Sequence, residues 1–230
     1  MEISKKSLEG LILGKINQKY NVRYGDTDYL IYSFQDKFYS VEFRFRIQYK
    51  RLVTFEGFSI FSSKEIEKEI SNLILEDLKN YYDDDFYFKS KKFYKTDYDF
   101  SQEILSEIHL DEFLNEFVKC LEYHEQKVFP KLLDINFLAE YVGSVPFENQ
   151  LDIPVGCQYP VSIFKKLAIL KWGNQDEKYL VYKNGLYDFI LEDLEAPKYK
   201  GEAKFYLTGF NKLVNHLENE KNPFIENNIC

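Results

Sequence analysis

The alternation of apolar and polar positions is clearest between residues 21 and 61. From residue 41 to residue 48 the side chains are apolar and polar in turn, which is the pattern of a strand with one solvated face. The apolar positions, which we expect to face the core, are Val41, Phe43, Phe45 and Ile47. Turn-forming residues separate this strand from its neighbours, so residues 21–61 predict an antiparallel meander of three or four strands.

Elsewhere in the chain, apolar residues recur every three or four positions, as they do on one face of a helix. The predicted helices cover residues 3–18, 62–78, 104–130, 132–142, 161–172, 176–194 and 202–217. Residues 81–96 favour a short hairpin with an acidic tip. For residues 176–194 a β-hairpin is the alternative to a helix, because the pair Asn184-Gly185 also occurs in the turns of hairpins.

Glycine and proline are concentrated between residues 143 and 160, which makes this stretch the best candidate for a domain boundary. We expect residues 1–142 to form an α+β unit that contains the meander. Residues 143–230 are expected to form a helical C-terminal part that packs on the first unit as one body. The predicted fold class is therefore α+β, an antiparallel β-meander packed with helices and followed by a helical C-terminal part.

The composition excludes several classes of protein. The apolar runs are far shorter than the roughly 20 residues that a membrane-spanning helix needs, so no membrane association is expected. Three cysteines, Cys120, Cys157 and Cys230, are odd in number and far apart in the chain. This arrangement does not suit a disulfide scaffold and indicates a reducing compartment, so we expect a cytoplasmic location.

Motifs for phosphate binding, dinucleotide binding and serine or zinc hydrolysis do not occur in the sequence. Cys120 and His124 are four residues apart on a predicted helix, which is the spacing of a two-ligand metal clamp. His124 also falls on the apolar face of that helix, so the interpretation we adopt is a buried histidine beside a buried thiol. No cofactor and no metal are predicted. For the aspartates at 83–85 three readings stay open: a solvated loop tip, a protein contact or a cation site.

Charge is distributed unevenly along the chain. Between Asp97 and Glu125 there are nine acidic residues and one basic residue, so this window alone carries the net charge of the whole chain, −8. Two interpretations are open, a solvated helix face or a docking surface for a basic partner. The candidate partner-binding residues are Tyr81, Tyr82, Asp83, Asp84, Asp85, Tyr87, Glu103, Glu107 and Asp111.

All four arginines lie between residues 23 and 51, in a chain that otherwise uses lysine. Arg44 and Arg46 share the polar face of their predicted strand, and arginine pairs well with carboxylate or phosphate. They either dock an acidic helix of the same molecule or contact a nucleic-acid backbone. Because the chain carries an excess of negative charge, nucleic acid is the less favoured partner.

The layout of the chain consists of a short helix, an aromatic meander and a long acidic helix, and this helix runs into Val128-Phe129-Pro130-Lys131-Leu132-Leu133. It resembles the layout of small cytosolic α+β proteins of bacterial toxin loci. Many of these are immunity proteins of polymorphic or contact-dependent toxin systems. The resemblance covers residues 1–142, is one of layout and composition, and assigns no role to any residue. It implies a non-enzymatic immunity protein that occludes a basic toxin such as a nuclease.

Two alternatives come from other functional classes. The first is a hydrolase or transferase whose site is assembled from residues far apart in the sequence, with Cys157 in the loop 143–160 as one candidate. The second is a nucleic-acid binder that uses the arginine-bearing face of the sheet. We expect binding without catalysis, because no sequence cue supplies the orienting third group or the oxyanion donors that a Cys120–His124 nucleophile pair would need.

Overall fold

The computed structural model describes residues 10, 11, 13, 14, 22–24, 29–32, 38–48, 52–63, 68, 69, 94, 95, 100–103, 107–144 and 161–225. Backbone alone is described for the strand segments and for residues 107, 129 and 161. Burial and side-chain contacts are therefore described for the helical parts of the chain and the turns that join them.

Six strand segments are defined by their backbone. They are β1 (Val22–Tyr24), β2 (Tyr29–Tyr32), β3 (Phe38–Gln48), β4 (Leu52–Ser63), β5 (Tyr94–Lys95) and β6 (Phe100–Glu103). Neighbouring segments from β1 to β5 pair antiparallel, and β6 pairs with β4. The side chains of Val41, Phe43, Phe45 and Ile47 lie outside the described residues, so their predicted core-facing orientation stays a prediction.

The helices occupy most of the second half of the chain. They are α1 (Glu107–Tyr123), a π-helical segment (His124–Val128), α2 (Phe129–Leu132), α3 (Ile135–Gly143), α4 (Val161–Trp172), α5 (Asp176–Glu195) and α6 (Lys200–Asn219). The three last helices confirm the periodicity argument to within two residues at each end. Asn184-Gly185 lies inside α5, so the hairpin alternative for this pair is wrong.

The predicted fold class, α+β with an antiparallel meander packed with helices, is wrong for the part of the chain that has described side chains. Of the residues with described side chains, 85% are helical and none lies in a strand or sheet. The described buried apolar side chains all come from the helices and the π segment between Leu110 and Leu217.

Helix α4 is the most deeply buried element among the described residues. Its eight consecutive residues from Ile163 to Leu170 are all buried, so no side of this stretch faces solvent. A helix that is apolar on all sides takes a central position in a core. The sequence of α4 fits that position except at two lysines, Lys165 and Lys166.

The turn between α4 and α5 explains how these two helices are joined. The N–H of Gln175 donates to the carbonyl of Leu170 at 2.9 Å, and the N–H of Asn174 donates to the carbonyl of Lys171 at 3.2 Å. This pair of bonds is a Schellman motif, in which one residue adopts a left-handed conformation. That residue is Asn174, with φ of 57°. Gly173 has another purpose, since a Cβ there would lie 2.1 Å from the Cβ of Ala139 in α3.

The chain divides into two compact units. One contains Met1–Ser63 and Phe93–Pro130, and the other contains Lys64–Lys92 and Lys131–Cys230. Helix α1 and the π segment belong to the first unit, and helices α3 to α6 belong to the second. The domain boundary predicted at residues 142–143 stays a prediction.

Candidate functional site

Helix α1 carries an acidic surface. Asp111 and Glu112 are exposed, while Glu116 and Glu122, and Glu125 in the π segment that follows, are half-buried. Lys119, the one basic residue of the acidic window, forms an ion pair with Glu116. Acidic residues in the first turn are favoured by the helix dipole, but the dipole does not account for those at the C-terminal end. The described part of the window therefore keeps a clear excess of negative charge at the surface.

The predicted partner-binding residues fall into three groups. Tyr81, Tyr82, Asp83, Asp84, Asp85 and Tyr87 lie outside the described residues. Glu103 lies in β6 and Glu107 opens α1, and only their backbone is described, whereas Asp111 is exposed on α1. The spacing of four residues between Glu103, Glu107 and Asp111 predicts that they stack on one face of a helix. Because α1 begins at Glu107, Glu103 is not part of that stack, and this expectation is wrong for Glu103.

Cys120 and His124 lie together on the buried face of α1 and the π segment. Both are fully buried, which confirms the predicted burial. The sulfur of Cys120 lies 3.5 Å from Nδ1 of His124, and the same Nδ1 lies 2.7 Å from the carbonyl oxygen of Cys120. A carbonyl oxygen only accepts, so Nδ1 carries the hydrogen and donates it to the backbone.

This geometry does not suit a catalytic pair. Because Nδ1 already carries a hydrogen, the nitrogen nearest the sulfur cannot take the proton of the thiol. Burial raises the pKa of the Cys120 thiol and lowers the pKa of His124, with the hydrogen bond to the backbone of Cys120 opposing the second shift. Both groups are therefore held in their neutral forms at neutral pH. Their arrangement is that of a packed core pair.

Lys165 and Lys166 are two buried cations that the sequence pattern did not single out. Both lie in α4, and Lys165 is 0% exposed. Burial lowers the pKa of Lys165 to about 7. The Nζ atom of Lys166 lies 4.7 Å from the centre of the Tyr182 ring in α5, within range of a cation–π interaction. A lysine with a strongly lowered pKa is a common feature of active sites, but a fully buried one offers no access to a substrate.

A sequence signal for this pair was present. Lys165 and Lys166 are adjacent and lie within the run Val161 to Trp172, in which most of the remaining residues are apolar. Adjacent residues on a helix point about 100° apart. When the remaining faces of such a helix are apolar, at least one of the two lysines is forced towards the core.

A polar cleft of about 240 Å³ lies beside the turn between α4 and α5. Its lining includes Lys171, Asp176, His216, Glu218 and Asn222. The Nζ atom of Lys171 lies 2.7 Å from a carboxylate oxygen of Asp176. Two of the charged groups that line the cleft are therefore paired with each other.

Glu218 is the centre of the second set of contacts at this cleft. Its Oε1 atom accepts hydrogen bonds from Lys183 at 2.7 Å and from the Tyr179 hydroxyl at 3.2 Å. The hydrogen bond from Lys183 lowers the pKa of Glu218, while burial and then the charge of Glu218 raise the pKa of Tyr179. These contacts join α5 to the end of α6.

The segment after α6 closes over the end of α4. The side-chain amide of Asn222 donates to the carbonyl of Trp172 at 2.7 Å, and its oxygen accepts from the N–H of Phe224 at 3.0 Å. The Phe224 ring centre lies 5.3 Å from that of Trp172. We call residues 220–225 the C-terminal clasp. Four residues of the clasp line the cleft: Glu220, Lys221, Asn222 and Ile225.

Among the residues with described side chains, no three histidine, cysteine or acidic groups come close enough together to hold a metal ion. Within the same part of the chain, no helix combines the length and the apolar character needed to cross a bilayer.

No family model, curated protein or solved structure matches the chain.

Proposed function

We propose that the protein is a non-enzymatic, cytoplasmic binding protein whose acidic helix α1 docks a basic protein partner. The most concrete form of this function is an immunity protein that occludes a basic toxin. The observation that supports it is the surface of α1, where Asp111 and Glu112 are exposed and two further carboxylates, Glu116 and Glu122, are half-buried. The cytoplasmic location rests on the odd number and wide spacing of the cysteines.

The mechanism is electrostatic steering followed by steric blocking. Carboxylates concentrated on one helix raise the rate at which a basic protein meets this surface. On the described part of the helix, Asp111 and Glu122 are eleven residues apart, three helical turns, and therefore lie on one side of it. A positively charged active-site rim on the partner is covered once the two surfaces meet.

The test is a comparison of two double variants of equal charge. Asp111→Asn with Glu112→Gln removes two carboxylates from α1, and Glu140→Gln with Glu220→Gln removes two exposed carboxylates from elsewhere in the chain. A partner is first recovered from the host by pull-down, and its association and dissociation rates are then measured at several salt concentrations. The α1 variant is expected to associate several-fold more slowly and to lose salt dependence, with little change in dissociation.

The control variant is expected to keep the association rate of the unmodified protein. Equal association rates for the two variants would show that the charge of α1 has no special part in binding. An unchanged rate accompanied by a large loss of folding stability in the α1 variant would show that these carboxylates serve the fold, and the proposal would fail.

A further inference from the structure

Helix α5 exposes an apolar row on its solvent side. Leu180, Tyr187 and Leu191 are 50%, 40% and 36% exposed. They are spaced by seven and four residues, so they lie above one another on one face of the helix. We call these three residues the α5 row.

The α5 row is distinct from the face by which α5 joins the core. The buried side chains of α5 are Tyr179, Tyr182, Leu186 and Ile190. A surface helix ordinarily has one apolar face, with polar side chains opposite. Helix α5 has a second apolar row, formed by three of its exposed side chains.

The aromatic member of the row is held in place before any partner arrives. The ring centre of Tyr187 lies 5.7 Å from that of Phe210 in α6. An exposed tyrosine that rests on a buried ring loses little conformational freedom on binding and presents a large contact area. This is the character of an anchor residue in a protein interface.

One side of the α5 row is bordered by carboxylates. Glu177, Asp188 and Glu195 are exposed, and each lies three or four residues from a leucine of the row. Within the part of the chain that the structure describes, none of these three carboxylates forms an ion pair. Over the whole of α5 there are six acidic residues and two lysines. All three side chains of this border are therefore negatively charged.

The charge of the border selects the occupant. In a symmetric pair of identical copies, the row would meet the same acidic border on the other copy, and like charges would oppose each other. A helix with leucine-like residues every three or four positions and lysine or arginine beside them satisfies both the row and its border.

We propose that the α5 row with its acidic border is a docking surface for a cationic amphipathic helix of a partner protein. It lies on a different helix from the acidic surface of α1 and in the other compact unit. The proposal therefore goes beyond the function proposed for α1, and an experiment can contradict either proposal without contradicting the other.

The probe is a synthetic peptide of about 14 residues, four turns of helix, built from leucine and lysine so that leucine recurs every three or four positions. A scrambled peptide of the same composition is the control for charge alone. Titration calorimetry is expected to show that the full-length protein binds the amphipathic peptide about tenfold more tightly than the scrambled one. Leu180→Gln with Leu191→Gln is expected to remove that difference, whereas Val181→Gln is expected to preserve it.

Val181 is the matched control because it is 72% exposed and apolar but lies one position off the row. Asp188→Asn with Glu177→Gln is expected to weaken binding and its salt dependence. Equal binding of the two peptides, no binding of either, or unchanged binding by the leucine variant would overturn the proposal. Self-association in sedimentation, lost in the leucine variant, would also overturn it by showing that a second copy occupies the row.

Discussion

The Nδ1 atom of His124 donates to the carbonyl oxygen of Cys120, one turn earlier in the chain, at 2.7 Å. This bond uses the one ring nitrogen that lies near the thiol, and it ties the imidazole to its own helix. Because both residues are fully buried, the imidazole is kept neutral where an exposed one would gain a proton. The pair therefore links folding to the acidity of the solution.

His124 is expected to make the protein less stable in acid. Its pKa is lowered from 6.5 in the folded state, so below that pH the unfolded chain binds a proton that the folded chain does not. The free energy of unfolding should fall by up to about 1.4 kcal/mol per pH unit as the pH drops below 6.5. Urea unfolding at a series of pH values measures this slope. His124→Gln is expected to flatten it, and an unchanged slope in that variant would contradict the prediction.

Lys165 is expected to make the protein more stable as the solution becomes alkaline. Its pKa falls from 10.5 to about 7 on folding, so above pH 7 the unfolded chain binds a proton that the folded chain has released. Stability should rise between pH 7 and pH 9. Above pH 9 the raised pKa of Cys120 has the opposite effect, because the thiol then ionises only in the unfolded chain.

The corresponding variant is Lys165→Met, which keeps the shape of the side chain and removes the charge. The rise in stability between pH 7 and pH 9 should disappear in the same variant. A less stable protein with the original pH slope would show that Lys165 is not the group responsible.

Two glycines should respond in opposite directions to the same substitution. A Cβ at Gly173 would lie 2.1 Å from the Cβ of Ala139 and 2.8 Å from the carbonyl oxygen of Ile135, so Gly173→Ala should cost about 1–3 kcal/mol. At Gly209, inside α6, a Cβ meets nothing within 4 Å. Gly209→Ala should therefore stabilise by about 0.5–1 kcal/mol, through the better helix propensity of alanine. Thermal unfolding of the two variants compares them directly, and equal effects would refute the close approach of α3 to Gly173.

The C-terminal clasp should be visible in the fluorescence of Trp172, the single tryptophan of the chain. Asn222→Ala removes the hydrogen bond to the Trp172 carbonyl and the cap on the N–H of Phe224. It is expected to shift the emission of Trp172 to longer wavelength and to cost about 1–2 kcal/mol of stability. Asn219→Ala is the matched control, because the Asn219 side chain donates to Asn215 within its own helix. An identical emission spectrum for the two variants would show that the clasp does not shield the indole.

The helices of the second half could be predicted from the sequence because their apolar residues keep one spacing over many turns. Helix α4 was placed at its true bounds, and α5 and α6 to within two residues. The composition of the core could not be predicted in the same way. Alternation in residues 41–48 indicates a strand but not how much of the core it supplies, and the described core consists of helical side chains.

The surfaces were harder to predict than the helices. The exposed position of Asp111 could be predicted from charge counting, because an excess of acid on a helix is visible in the sequence, while its part in partner binding stays a prediction. The α5 row was missed, since apolar residues on two faces of one helix look like a single irregular pattern until burial separates them. Lys165 was missed because a lysine is ordinarily expected at the surface, and its depth depends on helices that pack from several directions.

The π-helical segment His124–Val128 lies directly before α2, which contains Pro130. In a continuous α-helix the ring of Pro130 would collide with the carbonyl of residue 126, and a π turn widens the helix at that place. Such a turn holds one residue more than an α turn, so it shifts the phase of the helix by about 100°. The orientation of α2 consequently depends on the number of residues in the π segment more than on which residues these are. Loss of a single residue between His124 and Val128 would turn the faces of α2 by about 100° about the helix axis, while most substitutions at the exposed Gln126 or Lys127 would leave them in place.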